Sequence, residues 1–185
     1  MKNWGSVMKI AQAILWGGLV AGVLDIGYAI VVYGLSYNLP PMRILQSVDA
    51  GWIGRTASRA GEWNTALAGL ATHFLLATIM AAVFVLLGTR FTALTRRPIL
   101  WGVIYGLVLY VAMNWIIVPL SAAHASEHFA GSFDEAMARL NVSFGAARMA
   151  QRAQDPLQLA GTIWTHTGFV GVPIALIARH FSAKT

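Results

Sequence analysis

The side chains that could do chemistry in this sequence are a few polar and ionisable residues set inside long apolar stretches. They are a carboxyl, two imidazoles, an amide and a hydroxyl: Asp25, His73, His166, Asn114 and Thr162. A carboxyl group beside an imidazole can hold and exchange a proton, and ionisable groups inside a membrane mark pathways for protons, ions or small ligands. Two histidines that face each other across a helix bundle can also ligate a haem iron.

A second pattern, His124-Ala-Ser-Glu127-His128, matches the H-x-x-E-H signature, in which two histidines on one helix face bind zinc. A catalytic zinc also needs a third protein ligand, and no suitable acidic residue follows in a second helix. We therefore interpret this stretch as a polar loop and keep a metal site as the weaker alternative. The chain has no cysteine, which excludes thiolate metal sites and thiol nucleophiles. No enzyme reaction can be assigned to these residues, so we favour a non-catalytic protein.

The elements that must position these residues are membrane-spanning helices. Of the 185 residues, 57% are apolar and only 11% are charged, whereas about a quarter are charged in a soluble domain. Residues 63–89, 98–126 and 156–178 carry no charged side chain. Each of these stretches exceeds the ~20 residues that a helix needs to cross the hydrocarbon core. A fourth apolar stretch, near the N-terminus, is interrupted only by Asp25.

The sequence therefore predicts an all-α, polytopic membrane protein whose residues 1–185 form a single domain. The domain is a bundle of four transmembrane helices with short extracytoplasmic helices. The predicted spans are 11–36, 64–88, 98–121 and 157–181.

Two connections between the spans are long enough to carry helices outside the membrane. In residues 41–54, apolar side chains recur at helical spacing after Pro40-Pro41. In residues 132–153, Ser132 and Glu135 fit a capping box. Four apolar side chains then share one helix face: Phe133, Met137, Leu140 and Phe144. We expect this face to dock on the protein's own first outer helix or on a partner, with Arg139 and Arg148 on the opposite, polar face.

The charge distribution predicts the orientation of the chain. The net charge is +6, and three arginines lie within the short connection 89–97. Short basic loops stay in the cytoplasm, so we expect both termini, with Lys2 and Lys184, to be cytoplasmic. This topology accounts for the positive charge, and we expect no nucleic-acid partner. The partners that we expect are the lipid bilayer and either other membrane-protein subunits or further copies of this chain.

Asp25, His73, Asn114 and His166 are predicted to form one polar layer, because they lie roughly 9 to 16 Å from the outer ends of their spans at about 1.5 Å per residue. Thr162 shares a helix face with His166. The layer has three interpretations: a structural clamp of hydrogen bonds, a site for a proton, ion or small polar ligand, or a haem site at His73 and His166. We disfavour haem and expect no cofactor, because bulky aromatic side chains adjoin the layer.

Several short motifs resemble those of the YagU-like bacterial inner-membrane proteins. They are Gly18-Leu-Val-Ala-Gly-Val-Leu-Asp25-Ile, Ile44-Leu-Gln-Ser47, Gly69-Leu-Ala-Thr-His73-Phe, Tyr105-Gly through Met113-Asn114, Pro119-Leu-Ser-Ala122, and His166 with Gly171-Val-Pro-Ile-Ala175. The resemblance covers residues 14–122 and 157–181 and implies a small multi-pass protein of the bacterial cytoplasmic membrane. It implies no reaction. This chain departs from the family at about 123–155, where its outer segment is longer.

Two functions follow from these observations. The first, which we favour, is a non-catalytic accessory or structural subunit of a larger membrane complex, because four short spans leave little room for a gated pathway and many glycine faces could contact neighbouring helices. The alternative is a small transporter or proton-linked protein that uses the polar layer, with Asp25 as proton acceptor and the two histidines as its partners.

Overall fold

The computed structural model describes the backbone of residues 4–182 and the side chains of residues 7–182. Lys2 and Lys184 therefore lie outside the described residues. The structure is 87% helical and contains no strand in the described range, so the predicted all-α class is confirmed. The helices are α1 Trp4–Tyr37, α2 Pro41–Ile53, α3 Arg55–Ala60, α4 Glu62–Arg90, α5 Ala93–Arg96, α6 Pro98–Leu120, α7 Phe133–Phe144, α8 Ala146–Ala153 and α9 Pro156–Ser182.

Within the described residues, four helices are long and apolar enough to cross a membrane: α1, α4, α6 and α9. The chain is thus a multi-pass membrane protein. These helices contain the predicted spans, except that Ser121 lies beyond the end of α6.

The two connections that were predicted to carry helices do so, with one difference. The first contains α2, close to the predicted range 41–54, followed by the short helix α3. The second was predicted as a single helix over 132–153, but it is broken at Gly145 into α7 and α8. Gly145 is extended, with φ −68° and ψ 153°, and glycine is a poor helix former, so the chain changes direction there. The Ser132 hydroxyl accepts a hydrogen bond from the Glu135 backbone N–H at 3.2 Å, as the capping box predicts.

The chain divides into two compact units, each of which is described by itself. The first is drawn from Met1–Tyr28, His73–Leu109 and Trp164–Thr185. Its core consists of small and aliphatic side chains around one buried phenylalanine: Ala13, Ala21, Ala81, Phe84, Val85, Leu109, Val170, Ile174, Ala175 and Ala178. The Tyr105 hydroxyl donates a hydrogen bond to the Met80 carbonyl at 2.7 Å, which joins α6 to α4 without leaving a polar group unpaired in the core.

Glycines in this unit allow helix backbones to touch. A Cβ added at Gly106 would collide with the His166 carbonyl oxygen, and one added at Gly171 would collide with the Gly102 carbonyl oxygen. On α1, a Cβ at Gly18 would lie only 2.6 Å from the Thr78 Cα of α4. Inside a membrane, where lipid is as apolar as the side chains, such close backbone contact is a main source of attraction between helices.

Two spanning helices contain π-helical turns, each of which ends shortly before a proline. In α6 the π segment is Ala112–Ile117, before Pro119, and in α9 it is Thr165–Gly171, before Pro173. Proline has no N–H and its ring crowds the carbonyl four residues earlier, so the regular α-helical ladder is interrupted at both places. Widening to a π turn is one way in which a spanning helix accommodates this change.

The second unit is drawn from Ala29–Thr72 and Tyr110–Ile163. Its helix α2 is held to the start of α4 through the fully buried Gln46. The Gln46 Nε2 donates to the Glu62 carbonyl at 2.8 Å and to the Thr65 hydroxyl at 3.2 Å. The Ser58 hydroxyl of α3 donates to the Gln46 carbonyl at 2.8 Å. This network orders the first connection against the end of a spanning helix.

The close contact at Gly106 generates a stability prediction. Gly106→Ala would force the α6 and α9 backbones apart, and we expect it to lower the free energy of unfolding by about 1–3 kcal/mol, as overpacking usually does. Thermal denaturation of the purified protein in mild detergent measures the effect.

The matched control is Gly27→Ala on α1, where an added Cβ meets nothing within 4 Å. Because alanine is the better helix former, this variant is expected to be as stable as the parent or more stable. Equal stability of the Gly106→Ala protein and the parent would contradict the packing described here.

Candidate functional site

Asp25 of α1 and His73 of α4 come together in the first unit. The His73 Nε2 lies 2.9 Å from the Gly22 carbonyl oxygen, and the His73 Nδ1 lies 4.0 Å from an Asp25 carboxyl oxygen. A carbonyl only accepts hydrogen bonds, so Nε2 carries a proton and donates it. The remaining nitrogen, Nδ1, faces the carboxyl group at a distance longer than a hydrogen bond. Both His73 nitrogens face protein oxygens in this arrangement.

The other residues of the predicted polar layer make contacts with backbone groups. His166 lies half-buried in the π segment of α9, where its backbone carbonyl contacts Gly106. Asn114 lies in the π segment of α6, and its side-chain amide donates to the Tyr110 carbonyl at 3.0 Å. The Thr162 hydroxyl donates to the Gln158 carbonyl at 2.8 Å, within its own helix.

Arg152 of α8 supplies a donor that α6 has lost. The Val118 N–H bonds to the Met113 carbonyl, and Pro119 has no N–H, so neither can serve the Asn114 carbonyl. The Arg152 Nη2 donates to that carbonyl at 2.7 Å. The guanidinium carbon also lies 4.6 Å from the centroid of the Trp115 ring, a cation–π contact. Burial lowers the pKa of Arg152 from its usual value, and the neighbouring positive charge of Arg148 lowers it further.

Arg139 organises the second connection, and its position corrects the sequence prediction. Arg139 was expected on the exposed polar face of α7, but it is only 5% exposed. Its Nη1 donates to the His128 carbonyl at 2.9 Å, its Nη2 donates to the Ser126 hydroxyl at 2.7 Å, and its guanidinium forms an ion pair with Glu135 one turn earlier. The arginine thus ties α7 to the turns that follow α6.

Helix α7 therefore turns two polar residues, Arg139 and Ser143, inward and several apolar residues outward. Ser143 is buried beside Arg139, whereas Phe133 is 78% exposed and Val142 is 70% exposed. Of the other residues predicted to dock on a partner, Met137 is exposed and Leu140 is half-buried. Phe144 is also partly exposed, and its ring centroid lies 5.0 Å from that of Trp115. The docking role of these residues stays a prediction.

The H-x-x-E-H residues lie in turns between α6 and α7 rather than on one helix face. The Glu127 carboxylate accepts hydrogen bonds from the Thr56 N–H and hydroxyl at 2.9–3.3 Å. The His124 Nδ1 contacts the Ser126 hydroxyl at 3.0 Å, and the His128 Nδ1 lies 2.8 Å from the Phe129 carbonyl. Among the described residues, no group of three histidine or acidic side chains is arranged to hold a metal ion.

Two cavities in the second unit share their most polar lining residues. One, of about 250 Å³, is lined by Asn114 and Thr162 from the predicted layer. The other, of about 610 Å³, is lined by residues of the second connection. Asn114, Arg148 and Arg152 line both. Sequence reasoning missed Arg152 in this role, although Pro119 was a usable signal, because a proline in a spanning helix leaves a carbonyl that needs another donor.

The Glu135–Arg139 pair generates a pH prediction. The Gly131 backbone N–H and the Arg139 guanidinium hold the pKa of Glu135 below its ordinary value of 4.5. A lowered pKa in the folded state means that the pair stabilises the protein fully above about pH 4.5 and loses this contribution as the pH falls through the folded-state pKa. We expect Glu135→Gln to be less heat-stable than the parent at pH 6 and the difference to shrink in more acidic buffers.

The control for this measurement is Asp134→Asn, which neutralises the adjacent exposed carboxylate. At pH 6 its loss of stability is expected to be smaller than that of Glu135→Gln, because the ion pair of Arg139 is with Glu135. A Glu135→Gln difference that is independent of pH would contradict the assignment.

Comparison with known proteins identifies no family for this chain. No protein-family model matches it, and no curated protein or solved structure is significantly similar to it. The resemblance to the YagU-like proteins stays a prediction from the motifs quoted above. The four long apolar helices identify the chain as a multi-pass membrane protein with an all-α fold.

Proposed function

We propose that this protein is a non-catalytic accessory subunit of a larger membrane complex and that it binds its partner through α7. The observation that supports the proposal is the inverted orientation of this helix. Phe133, Met137 and Phe144 share one exposed side of α7, while Arg139 and Ser143 are turned inward. A helix outside the spanning segments that presents apolar side chains has a surface suited to another protein.

The arrangement of α7 is held in place by charged contacts. The Arg139 guanidinium reaches carbonyl and hydroxyl oxygens of the turns before α7, so the helix cannot rotate its apolar residues inward without breaking several hydrogen bonds. Removing a buried arginine from its partners is costly, because the charge would be left uncompensated. The exposed apolar face is therefore a stable property of the fold.

The glycines of the spanning helices support the accessory role less than α7 does. Gly17, Gly18 and Gly22 contact α4, and Gly102 and Gly106 contact α9. These small residues serve packing within the first unit, so they are not surfaces reserved for neighbouring subunits.

A double substitution in α7 tests the proposed function. We expect the tagged parent protein, extracted from native membranes in mild detergent, to migrate with other chains in a fixed ratio. Phe133→Ser with Met137→Thr should remove those chains, because it deletes two exposed apolar side chains on one side of α7. Native-size analysis with quantitative mass spectrometry measures the ratio, and thermal denaturation checks that the variant is folded.

The matched control is Leu157→Thr at the start of α9, since Leu157 is 83% exposed but lies outside α7. This variant is expected to keep the associated chains. A parent protein that purifies only as a monomer, or as copies of itself, would refute the accessory role.

A second function, proton-linked transport, is favoured by the Asp25–His73 pair. Its carboxyl and imidazole groups lie 4.0 Å apart inside predicted spans, and the histidine is oriented by the Gly22 carbonyl. Such a pair binds and releases one proton with little movement of the helices, which suits a proton relay.

Reconstituted vesicles with an internal pH-sensitive dye test this second function. The parent is expected to collapse an imposed pH gradient faster than protein-free vesicles do, and Asp25→Asn is expected to abolish the excess rate, because an amide does not exchange the proton. Asp155→Asn, which changes an exposed acid outside the spans, is the control and should retain the rate. A parent rate equal to that of protein-free vesicles would exclude proton transport by this chain alone.

A further inference from the structure

The larger cavity of the second unit has a strongly cationic lining. It encloses about 610 Å³ and is lined by Arg55, Arg139, Arg148 and Arg152, with no acidic residue in its walls. Four arginines around one cavity in a chain with only 13 basic residues is a marked concentration of positive charge.

Most of this charge is uncompensated. Of the four arginines, Arg139 has a carboxylate partner, namely Glu135. In the described part of the chain, no aspartate or glutamate lies within 4.0 Å of the basic groups of Arg55, Arg148 or Arg152. Arg148 bonds to the neutral Gln151 side chain at 2.5 Å. This excess of positive charge suits the lining to a negatively charged ligand.

Hydrogen-bond donors also remain for such a ligand. The Ser143 hydroxyl lines the cavity, is 5% exposed and has no hydrogen-bond partner among the described residues. The Arg152 Nη1 and Arg139 Nε atoms are likewise buried and have no hydrogen-bond partner among the described residues. Buried polar atoms in native proteins are nearly always paired, so the three unpaired donors on residues that line this cavity favour a polar ligand beside them.

From these observations we infer that the cavity binds a phosphate-bearing anion, either a lipid head group or a soluble phosphate compound. Arg148 and Arg152 hold the phosphate oxygens by charge-assisted hydrogen bonds, the Ser143 hydroxyl donates a further hydrogen bond, and Arg55 adds charge from the opposite connection. The site is separate from the α7 surface proposed above, since Phe133, Met137 and Phe144 do not line the cavity, although Val142 does.

A phosphate fits the cavity better than a carboxylate does. Guanidinium groups bind both anions in a fork geometry, but a phosphate presents more oxygens and more charge than a single carboxylate. Three uncompensated arginines and a hydroxyl exceed what one carboxylate can satisfy. Val118 and Pro119 of α6 also line the cavity, so an acyl chain attached to the phosphate would meet apolar side chains at the end of a predicted span.

Direct binding measurements on the purified protein in neutral detergent test the inference. The probes are inorganic phosphate and a short-chain phosphatidylglycerol, with short-chain phosphatidylcholine for comparison, and calorimetry and native mass spectrometry report binding. We expect the parent to bind at least one of the two anionic probes, with an affinity that falls as salt is added.

Arg55→Gln with Arg148→Gln should weaken binding by about tenfold or more, because charge-assisted hydrogen bonds are lost. Both arginines are exposed, so the fold should persist.

Arg59→Gln is the matched control, because Arg59 is an exposed arginine one turn after Arg55 that does not line the cavity. It should bind as the parent does.

Tighter binding of phosphatidylglycerol than of phosphate identifies a lipid head group, and equal affinities identify a soluble phosphate. Binding of neither anionic probe, equal binding of phosphatidylcholine and phosphatidylglycerol, or equal weakening by Arg59→Gln would overturn the inference. Ser143→Ala, which removes only a hydroxyl, should weaken binding without lowering thermal stability, and unchanged binding would remove Ser143 from the site.

Discussion

A carbonyl group at the end of a spanning helix must find a hydrogen-bond donor, and Pro119 takes one away from α6. The helix widens into a π turn, which leaves the Asn114 carbonyl without a donor from its own ladder. Arg152 supplies that donor from a segment far along the chain. The Arg152 guanidinium also lies against the Trp115 ring and lines the cavity. The missing N–H in α6 is thus met by a contact that holds α8 against α6 within the second unit. Asn114 is thus notable for its backbone carbonyl as much as for its side chain.

A second arginine determines the character of the surface. Arg139 is buried among carbonyl oxygens, and α7 presents Phe133 and Met137 outward. The same connection therefore carries two surfaces of opposite chemistry, an apolar one on α7 and a cationic one in the cavity. An apolar surface is suited to protein contacts, whereas a cavity lined by arginines is suited to anions. The two proposals are tested at different residues and can succeed or fail separately.

The polar residues of the first unit have a different role. His73 is oriented by the Gly22 carbonyl so that its second nitrogen faces Asp25. This arrangement needs a glycine at position 22, because the Phe74 side chain occupies the space that a Cβ would fill. The close helix contact that stabilises this unit therefore also brings the carboxyl and imidazole groups near each other.

Local properties of the sequence were sufficient to predict the spans, the connections with helices and the capping box at Ser132, because apolar length, charge and turn residues act over short distances. The break at Gly145 and the burial of Arg139 were not predicted. A helical pattern shows which residues share a face but not which face turns inward, and the amphipathic interpretation assumed that charged residues meet water. Only the tertiary structure placed the carbonyl and hydroxyl oxygens that receive Arg139, and the Asn114 carbonyl that receives Arg152. Both sets of partners lie outside the helix that carries the arginine. The sequence by itself determined a four-span membrane protein with polar residues in its spans, and tertiary packing decided which of those residues meet, because hydrogen-bond partners are set by folding rather than by spacing.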